Sequence, residues 1–410
     1  MRFPWVILAF ISCLVVSCAR GPIKTPNEAM RISKTRSTLV DDLDFLSLVA
    51  ALEANVKQLR TPGVKSELNF GPRQIPSETY ARSLEFLLGK AKEDPSGETF
   101  KRTLDANFEH YEVYGQKDWG QVFITSYFEP VIEGALKRSG RFTQAIYAVP
   151  RDLVVIDLKT FANVPPGLEQ RSRDSILRGR LLATNGKDEM PRVVAFPDRA
   201  QFEIESGPRS EVLAWADPVD VFFLEIQGSG VVKLKDGKEI RLGYAAQNGH
   251  PYVPIGRFLK DVIPKDKITM HSIENHLRQV GPEEARRIMN LNPSYVFFRK
   301  LQTAGITYFG SEVVAGRTIA TDQSFFPKGA LAFLEFEKPK FTSAADRDPA
   351  AWEKASRFVI DQDTGGAIRG PHRVDLFWGR GAEAKQAAGV IKGKGRLVYF
   401  VPREGFLRTL

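Results

Sequence analysis

A chain of 410 residues with 43% hydrophobic and 26% charged side chains can bury a core larger than one small domain, and its composition is neither that of a disordered chain nor that of a multi-span membrane protein. A net charge of +9 favours anionic partners through long-range attraction, acidic cell-wall polymers and lipid headgroups among them. The Lys and Arg residues are dispersed without a dense basic block, which argues against nucleic acid as a partner.

Met1-Arg2 is a short positive start, Phe3 to Val16 is apolar, and Ser17-Cys18 follow. The apolar run is too short to span a bilayer and ends at small residues, so residues 1–17 read as a secretory signal. Val15-Val16-Ser17-Cys18 resembles a bacterial lipobox, with Val15 where Leu is usual. Both cysteines, Cys13 and Cys18, lie in this leader, so cleavage before Cys18 leaves one thiol and no internal disulfide. A lipid on Cys18 accounts for that thiol; an ordinary signal peptide that carries Cys18 away is the other reading. Ala19, rather than Asp, follows the Cys and points to a lipid anchor on the periplasmic face of the outer membrane. Residues 18–42 are polar, carry Pro22 and Pro26, and read as a lipidated tether.

Phe45, Val49, Leu52, Val56 and Leu59 recur at alternating steps of four and three, which makes one apolar helix face, and Pro62-Gly63 stops it. Tyr80, Leu84 and Leu87 predict a second helix, and Phe100, Leu104, Phe108 and Tyr111 a third. After Val113 the pattern changes to strands and turns. Strands are expected at 122–127, 144–148, 193–196, 221–226 and 231–234, with Asp236-Gly237 turning the last against 239–242. Two helices follow, near 255–262 and 282–291, with Pro282 suited to a first turn. The tail returns to strands at 318–321, 330–336, 357–360 and 396–401, with a surface loop at 338–350 and a short helix at 383–391. These elements describe a mainly β protein with N-terminal helices, its strands closed into barrels.

Three stretches have the composition of a site. The run from Asp363 through Gly365, Gly366, Arg369, His372 and Arg373 to Asp375 and Trp378 holds two carboxylates, a Gly-Gly turn and basic residues. Acid chemistry on a sugar bond needs a carboxyl held away from bulk water and a second group that tunes its charge. Burial and the neighbouring Asp363 act to raise the Asp375 pKa, whereas Arg369, Arg373 or a protonated His372 act to lower it, and the residues alone leave open which wins. They also leave open a bland reading, turn aspartates with structural glycines. A second stretch, 215–230, presents a hydrophobic strand that delivers Gln227 and Ser229 to a Gly-rich loop, where amide and hydroxyl groups suit sugar hydroxyls. Ser229 lacks the Gly-x-Ser-x-Gly setting of a nucleophile. The third, 243–252, is a polar and aromatic loop with Tyr244 and Asn248 that suits a carbohydrate groove, although Asn248-Gly249 is also plain turn chemistry. With five His and no His-Glu-x-x-His, no metal site is expected, and no phosphate loop or dinucleotide fingerprint is present, so no cofactor is expected either.

Taken together, 127–134, 215–230, 243–252, 292–298 and 363–379 resemble the membrane-bound lytic murein transglycosylase A family, and they run in that family's order. The resemblance implies a double-psi β-barrel domain built from residues 43–132 and 300–410, and a second, inserted β-barrel-like domain at 133–299, with the substrate groove between them. It implies three aspartates, Asp322, Asp363 and Asp375, of which Asp375 is the single catalytic acid/base and the other two are supporting carboxylates. Tyr127, Glu129, Gln227, Ser229, Tyr244, Asn248, Gly365 and Gly366 are the expected substrate-binding positions. Ser126 and Glu129 depart from the residues common in the family, which bears on subsite details. The implied reaction cleaves the β-1,4 bond between N-acetylmuramic acid and N-acetylglucosamine in peptidoglycan glycan strands. The sugar's own C6 hydroxyl attacks, so one carboxyl suffices where ordinary glycosidases need two. A hydrolytic cell-wall glycosidase with two carboxylates, and a non-catalytic peptidoglycan-binding lipoprotein, are the competing readings. A monomer is expected.

Overall fold

The computed structural model describes residues 23–115, 118–164, 176–182, 190–205, 210–302 and 305–410. The signal peptide and Cys18 lie outside the described residues. Six strands close into a barrel in the order Gln121–Glu129, Lys392–Pro402, Ala330–Lys340, Ala351–Asp363, Thr318–Ala320, Arg373–Arg380 and back to Gln121–Glu129. Two of these pairings are parallel, Thr318–Ala320 with Ala351–Asp363 and Arg373–Arg380 with Gln121–Glu129, and the others are antiparallel. This is the double-psi β-barrel expected from the sequence. Phe108–Val113 and, beyond it, Met30–Ile32 extend the sheet outward from Lys392–Pro402.

Three helices, Phe45–Leu59, Ser77–Glu93 and Glu98–Asn107, cover the barrel and share its core through Leu48, Leu52, Tyr80, Leu84, Leu87, Phe100 and Leu104. Asp44 caps the first by accepting from Leu46 N–H. The third stripe is split by the structure. The helix ends at Asn107, and Phe108 and Tyr111 belong to the strand Phe108–Val113, whose positions from His110 onward are all buried. Burial on both faces erases the alternation that marks a strand.

A second six-stranded sheet runs Val296–Lys300, Glu239–Gln247, Ser229–Leu234, Val131–Ala135, Val212–Ala216, Gln144–Tyr147. A bridge between Ala148 and Phe298 joins its two ends into a second barrel. Ile132, Ile146, Ala214, Val232, Leu242 and Phe298 fill it. Pro130 alone separates the strand Gln121–Glu129 of the first barrel from Val131–Ala135 of the second.

The segment expected as a strand at 221–226 is a helix, Pro218–Gln227. Asp217 caps it by accepting from Val219 and Asp220 N–H, Pro218 occupies the first turn, and Gly228 ends it at φ 79°. Val221 and Leu224 face the inserted barrel, and Val219, Phe222 and Phe223 face a helical layer with Leu277, Ile288 and Met289. Apolar on both sides, the run has no helical period to read. The helix expected at 255–262 is only the short turn Ile255–Phe258. The surface loop is shorter than expected, because the strands flanking it run to Lys340 and begin again at Ala351.

The tether expected at 18–42 is docked from Ile23 onward, where Ile23 packs against the main core. Arg317 explains its far end. This side chain is fully buried and reaches Asp41 at 2.5 Å, Ser47 at 2.9 Å and the carbonyls of Asp44 and Phe358. Removing one partner of a buried pair strands the other charge, at a cost of roughly 3–5 kcal/mol. Asp41→Ala is therefore expected to lower stability by about that amount in urea unfolding, while the double variant Asp41→Ala/Arg317→Met recovers most of it. Equal loss in single and double variants would show that the strap's backbone, and not its charge, holds it.

Candidate active site

The barrel register sets one row of side chains across four strands. Ala320 lies opposite Asp363 on one side and Asp375 on the other, and Asp375 lies beside Thr125. Directly opposed residues share a sheet face, so Asp363, Asp375 and Thr125 point to the same side with the small Ala320 between the two carboxylates. Lys392, opposite Thr125, continues the row.

The three aspartates have different partners. Asp375 is paired by Arg373, with Nε at 3.0 Å from Oδ1 and a second nitrogen 3.3 Å from Oδ2, and it accepts from the Thr125 hydroxyl. Arg373 is itself fixed by the carbonyl of Ala367 at 3.0 Å and by Thr125. Asp363 has both oxygens occupied: Oδ1 accepts from Tyr308 N–H and Thr364 N–H, and Oδ2 accepts from the Tyr127 hydroxyl at 2.8 Å. Burial pushes Asp363 above the usual carboxylate range against the pull of these donors. Burial first, then Asp363 and Asp375, push the Tyr127 phenol well above its ordinary value, so it stays a donor at any working pH. Asp322 is likewise committed, Oδ1 to Ser324 and Oδ2 to Gly370 N–H at 2.8 Å. Gly370, at φ 73°, is the glycine the turn requires; Gly365 and Gly366 are not in the left-handed region.

The inserted barrel supplies the opposite side. Gln227, at the end of its helix, accepts from Phe128 N–H at 3.1 Å and so is pinned against the barrel strand that carries Thr125 and Tyr127. Burial raises Tyr252 above its ordinary value, with the charges of Arg373 and Asp375 acting on it in opposite senses. Sequence reading did not single out Thr125 or Tyr252; the alternation that puts Thr125 on the face of Tyr127 was the available signal for the first. Tyr244 is 44% exposed and Ser229 half-buried in the inserted sheet. Asn248 is buried, donating to the carbonyls of Pro197 and Pro293 and accepting from Tyr295 N–H, so its amide organises the loop. Glu129 is also buried, 3.6 Å from Arg380, which reaches Glu239 of the inserted barrel at 2.8 Å; it belongs to the joint between the barrels. Among the described residues no group of three His, Cys, Asp or Glu side chains is arranged to hold a metal ion.

A second contact between the barrels lies just behind the Asp375 strand. Arg373–Arg380 runs into the helix Gly381–Ala388, and the inserted helix Met270–Gln279 docks on it. His271 Nε2 is 3.1 Å from the carbonyl of Gln386, Lys385 is 2.8 Å from Glu274, and Met270 N–H donates to Gly389. A Cβ on Gly389 would clash with the His271 ring.

Two barrels, one inserted in the other, with Asp363 and Asp375 in one row of the first and Asp322 just beyond it, define a three-aspartate barrel protein. Family models agree on both parts. The MltA specific insert domain matches residues 123–299, and the 3D domain matches residues 317–401. Membrane-bound lytic murein transglycosylase A of Escherichia coli K12 is 28% identical over 298 residues, 70% of this chain and 67% of that protein. Its counterpart in Vibrio cholerae is 27% identical over 284 residues, 68% of this chain and 65% of that protein. A membrane-bound lytic murein transglycosylase structure from Agrobacterium tumefaciens superposes with a TM-score of 0.70 at 27% identity, covering 93% of this chain and 100% of that one. The Escherichia coli MltA structure with bound chitohexaose shares the fold with a TM-score of 0.64 at 21% identity, over 93% of this chain and 96% of that one. The chain belongs to the membrane-bound lytic murein transglycosylase A family.

Burial pushes His271 below its ordinary 6.5, against the pull of the Gln386 carbonyl. An unfolded His binds its proton near 6.5, so the folded state carries fewer protons just below that pH. The stability this contact contributes is present above pH 6.5 and falls as pH drops through the window below it. His271→Gln keeps a donor for the carbonyl and removes the titration. It is expected to flatten the Tm-against-pH curve below 6.5, and an unchanged curve would assign that slope elsewhere.

Proposed function

We propose that this protein is a lytic transglycosylase that cleaves the β-1,4 bond between N-acetylmuramic acid and N-acetylglucosamine in peptidoglycan and leaves a 1,6-anhydromuramoyl end. One observation supports the reading: of the three aspartates, Asp375 is held by side chains, Arg373 and Thr125, whereas Asp363 and Asp322 each accept from two backbone N–H groups. A two-carboxylate hydrolase needs a second carboxylate free to activate water or attack the sugar, and the backbone N–H groups that hold Asp363 and Asp322 cannot turn away to release one.

In this mechanism protonated Asp375 gives its proton to the leaving glycosidic oxygen as the bond to the muramic C1 breaks. Arg373 and the Thr125 hydroxyl receive the negative charge left on the carboxylate. The carboxylate then takes the proton of the C6 hydroxyl as that oxygen closes on C1, so the enzyme returns to its starting form and no water is consumed. Intramolecular attack supplies the proximity that a positioned water would otherwise need. Tyr127 and Asp363 hold the wall beside Asp375, and Gln227 of the inserted helix is fixed on the strand that carries Thr125 and Tyr127. We take residues 43–132 and 300–410 as the domain that carries the acid/base and 133–299 as the domain that closes over the glycan. The family name and the leader support membrane attachment, through a lipid on Cys18 at the periplasmic face of the outer membrane.

Digestion of purified peptidoglycan followed by mass spectrometry tests this. Wild-type protein is expected to release anhydro-muropeptides. Asp375→Asn, with the fold intact by circular dichroism, is expected to lose about 10²–10⁴ of the rate, the range of a lost general acid/base. Products heavier by one water would instead establish a hydrolase. Unchanged glycan after prolonged incubation would establish a binding protein.

A further inference from the structure

The docked N-terminal strap places a limit on how far the barrel can stand from a membrane. Ile23 packs against the main core, Ala29 and Met30 are fully or nearly fully buried, and Met30–Ile32 pairs with Phe108–Val113. Beyond that strand Ser33 N–H donates to His110, Ser37 binds Glu335 at 3.2 Å, and Asp42 N–H donates to Ser356. The chain is thus held along the barrel from Ile23 to Asp42, and only five residue steps separate Ile23 from Cys18. At about 3.3–3.6 Å per step, fully extended, that span is at most roughly 18 Å.

The strap surface has a matching chemistry. Between residues 23 and 40 the chain carries Lys24, Arg31, Lys34 and Arg36 against the single carboxylate of Glu28. Lys24, Lys34 and Arg36 are exposed. Arg31 is turned inward, paired with Glu112 and lying 4.1 Å from the Trp119 ring centre. Ile32 and Val40 are 55% and 57% exposed beside these cations. Cations interleaved with exposed aliphatic residues suit the headgroup layer of an anionic bilayer, where each added Lys or Arg strengthens attraction about five-fold and the effect fades within a Debye length.

We propose that residues 23–40 form a membrane-contact surface, in which Lys24, Lys34 and Arg36 rest on anionic phospholipid headgroups and seat the barrel directly on the bilayer. The proposal rests on the reading of Cys18 as the lipid-bearing residue. Acidic wall polymer is the weaker occupant, because an anchor within roughly 18 Å holds this strap at the lipid surface whatever the rest of the protein reaches.

The full lipidated chain in vesicles gives the test. Cys13 leaves with the signal peptide and Cys18 is acylated, so an introduced cysteine is the one free thiol to label. Asn27→Cys on the strap and Val155→Cys on the inserted domain report distance to a headgroup-attached energy acceptor. With phosphatidylglycerol vesicles the Asn27 label is expected to be quenched at least two-fold more than the Val155 label. A flexible spacer of about twelve residues between Gly21 and Pro22 lengthens the reach. The strap label is then expected to stay quenched on phosphatidylglycerol, and to lose quenching on neutral phosphatidylcholine, in about 0.5 M salt, or with Lys24→Glu/Lys34→Glu/Arg36→Glu. Equal quenching of the two labels overturns the proposal. So does a spacer variant that responds to neither lipid charge nor the triple substitution, and so does a triple variant that loses sedimentation with peptidoglycan while keeping its vesicle contact. An intact mass without lipid on Cys18 overturns the anchor reading and this proposal with it, and leaves the peptidoglycan digestion result standing on its own.

Discussion

The structure depends on one strand pairing, the parallel contact of Arg373–Arg380 with Gln121–Glu129. It closes the first barrel and sets Asp375 beside Thr125. Parallel neighbours cannot be joined by a tight turn, so the chain between them must leave and return. Here that excursion contains the entire second barrel. The insertion is therefore not an ornament on a finished fold: the pairing that makes the site is the same one that requires a long connection, and the connection returns to that pairing through Gln227, which accepts from Phe128 N–H.

The same closure explains why three aspartates so close in the fold are held by different partners. A carboxylate buried without donors is costly, and burial alone drives its proton on. Asp363 sits at the buried end of Ala351–Asp363 and is kept by two backbone N–H groups and the Tyr127 hydroxyl. Asp322 ties the turn after Thr318–Ala320 to the Gly370 loop. Behind them Asp361, fully buried, is matched by Lys328 at 2.7 Å, Tyr399 at 2.6 Å and Thr321. The backbone donors that hold Asp363 and Asp322 are structural commitments. Asp375 differs from these two because its partners, Arg373 and Thr125, are side chains, and side chains can follow a carboxyl through a change of charge.

Much of this was legible from residues, for physical reasons. The helix Phe45–Leu59 has one wet face and one dry face, so its period survives in the sequence. The carboxylate run around Asp375 stood out because glycines, acids and aromatic residues rarely crowd together without a turn or a site to form. Pro218–Gln227 was misread because it packs against two cores at once, and a helix that is apolar all round carries no stripe. The different partners of Asp363 and Asp375 were not readable from the residues either. They include Tyr127, Tyr308 and Thr125, which are 55 to 250 residues away in the chain and meet the aspartates only through barrel closure. Asn248 looked like a ligand for sugars because an amide beside a glycine serves a turn and a binding loop equally well; in the structure its amide is taken up by four backbone partners.

The joint between the barrels completes the physical picture. Pro130 is the only residue between the strand Gln121–Glu129 of one barrel and Val131–Ala135 of the other, and proline fixes its own backbone. Arg380, at the end of the Asp375 strand, bridges Glu129 on that side to Glu239 on the other. The helix following Arg380 then carries the second contact, with Gly389 bare so that His271 can seat against it. Both fastenings thus begin from the strand that bears the proposed acid. A displacement of the inserted barrel is therefore felt along Arg373–Arg380, which makes the position of Asp375 a property of the joint as much as of the barrel that carries it.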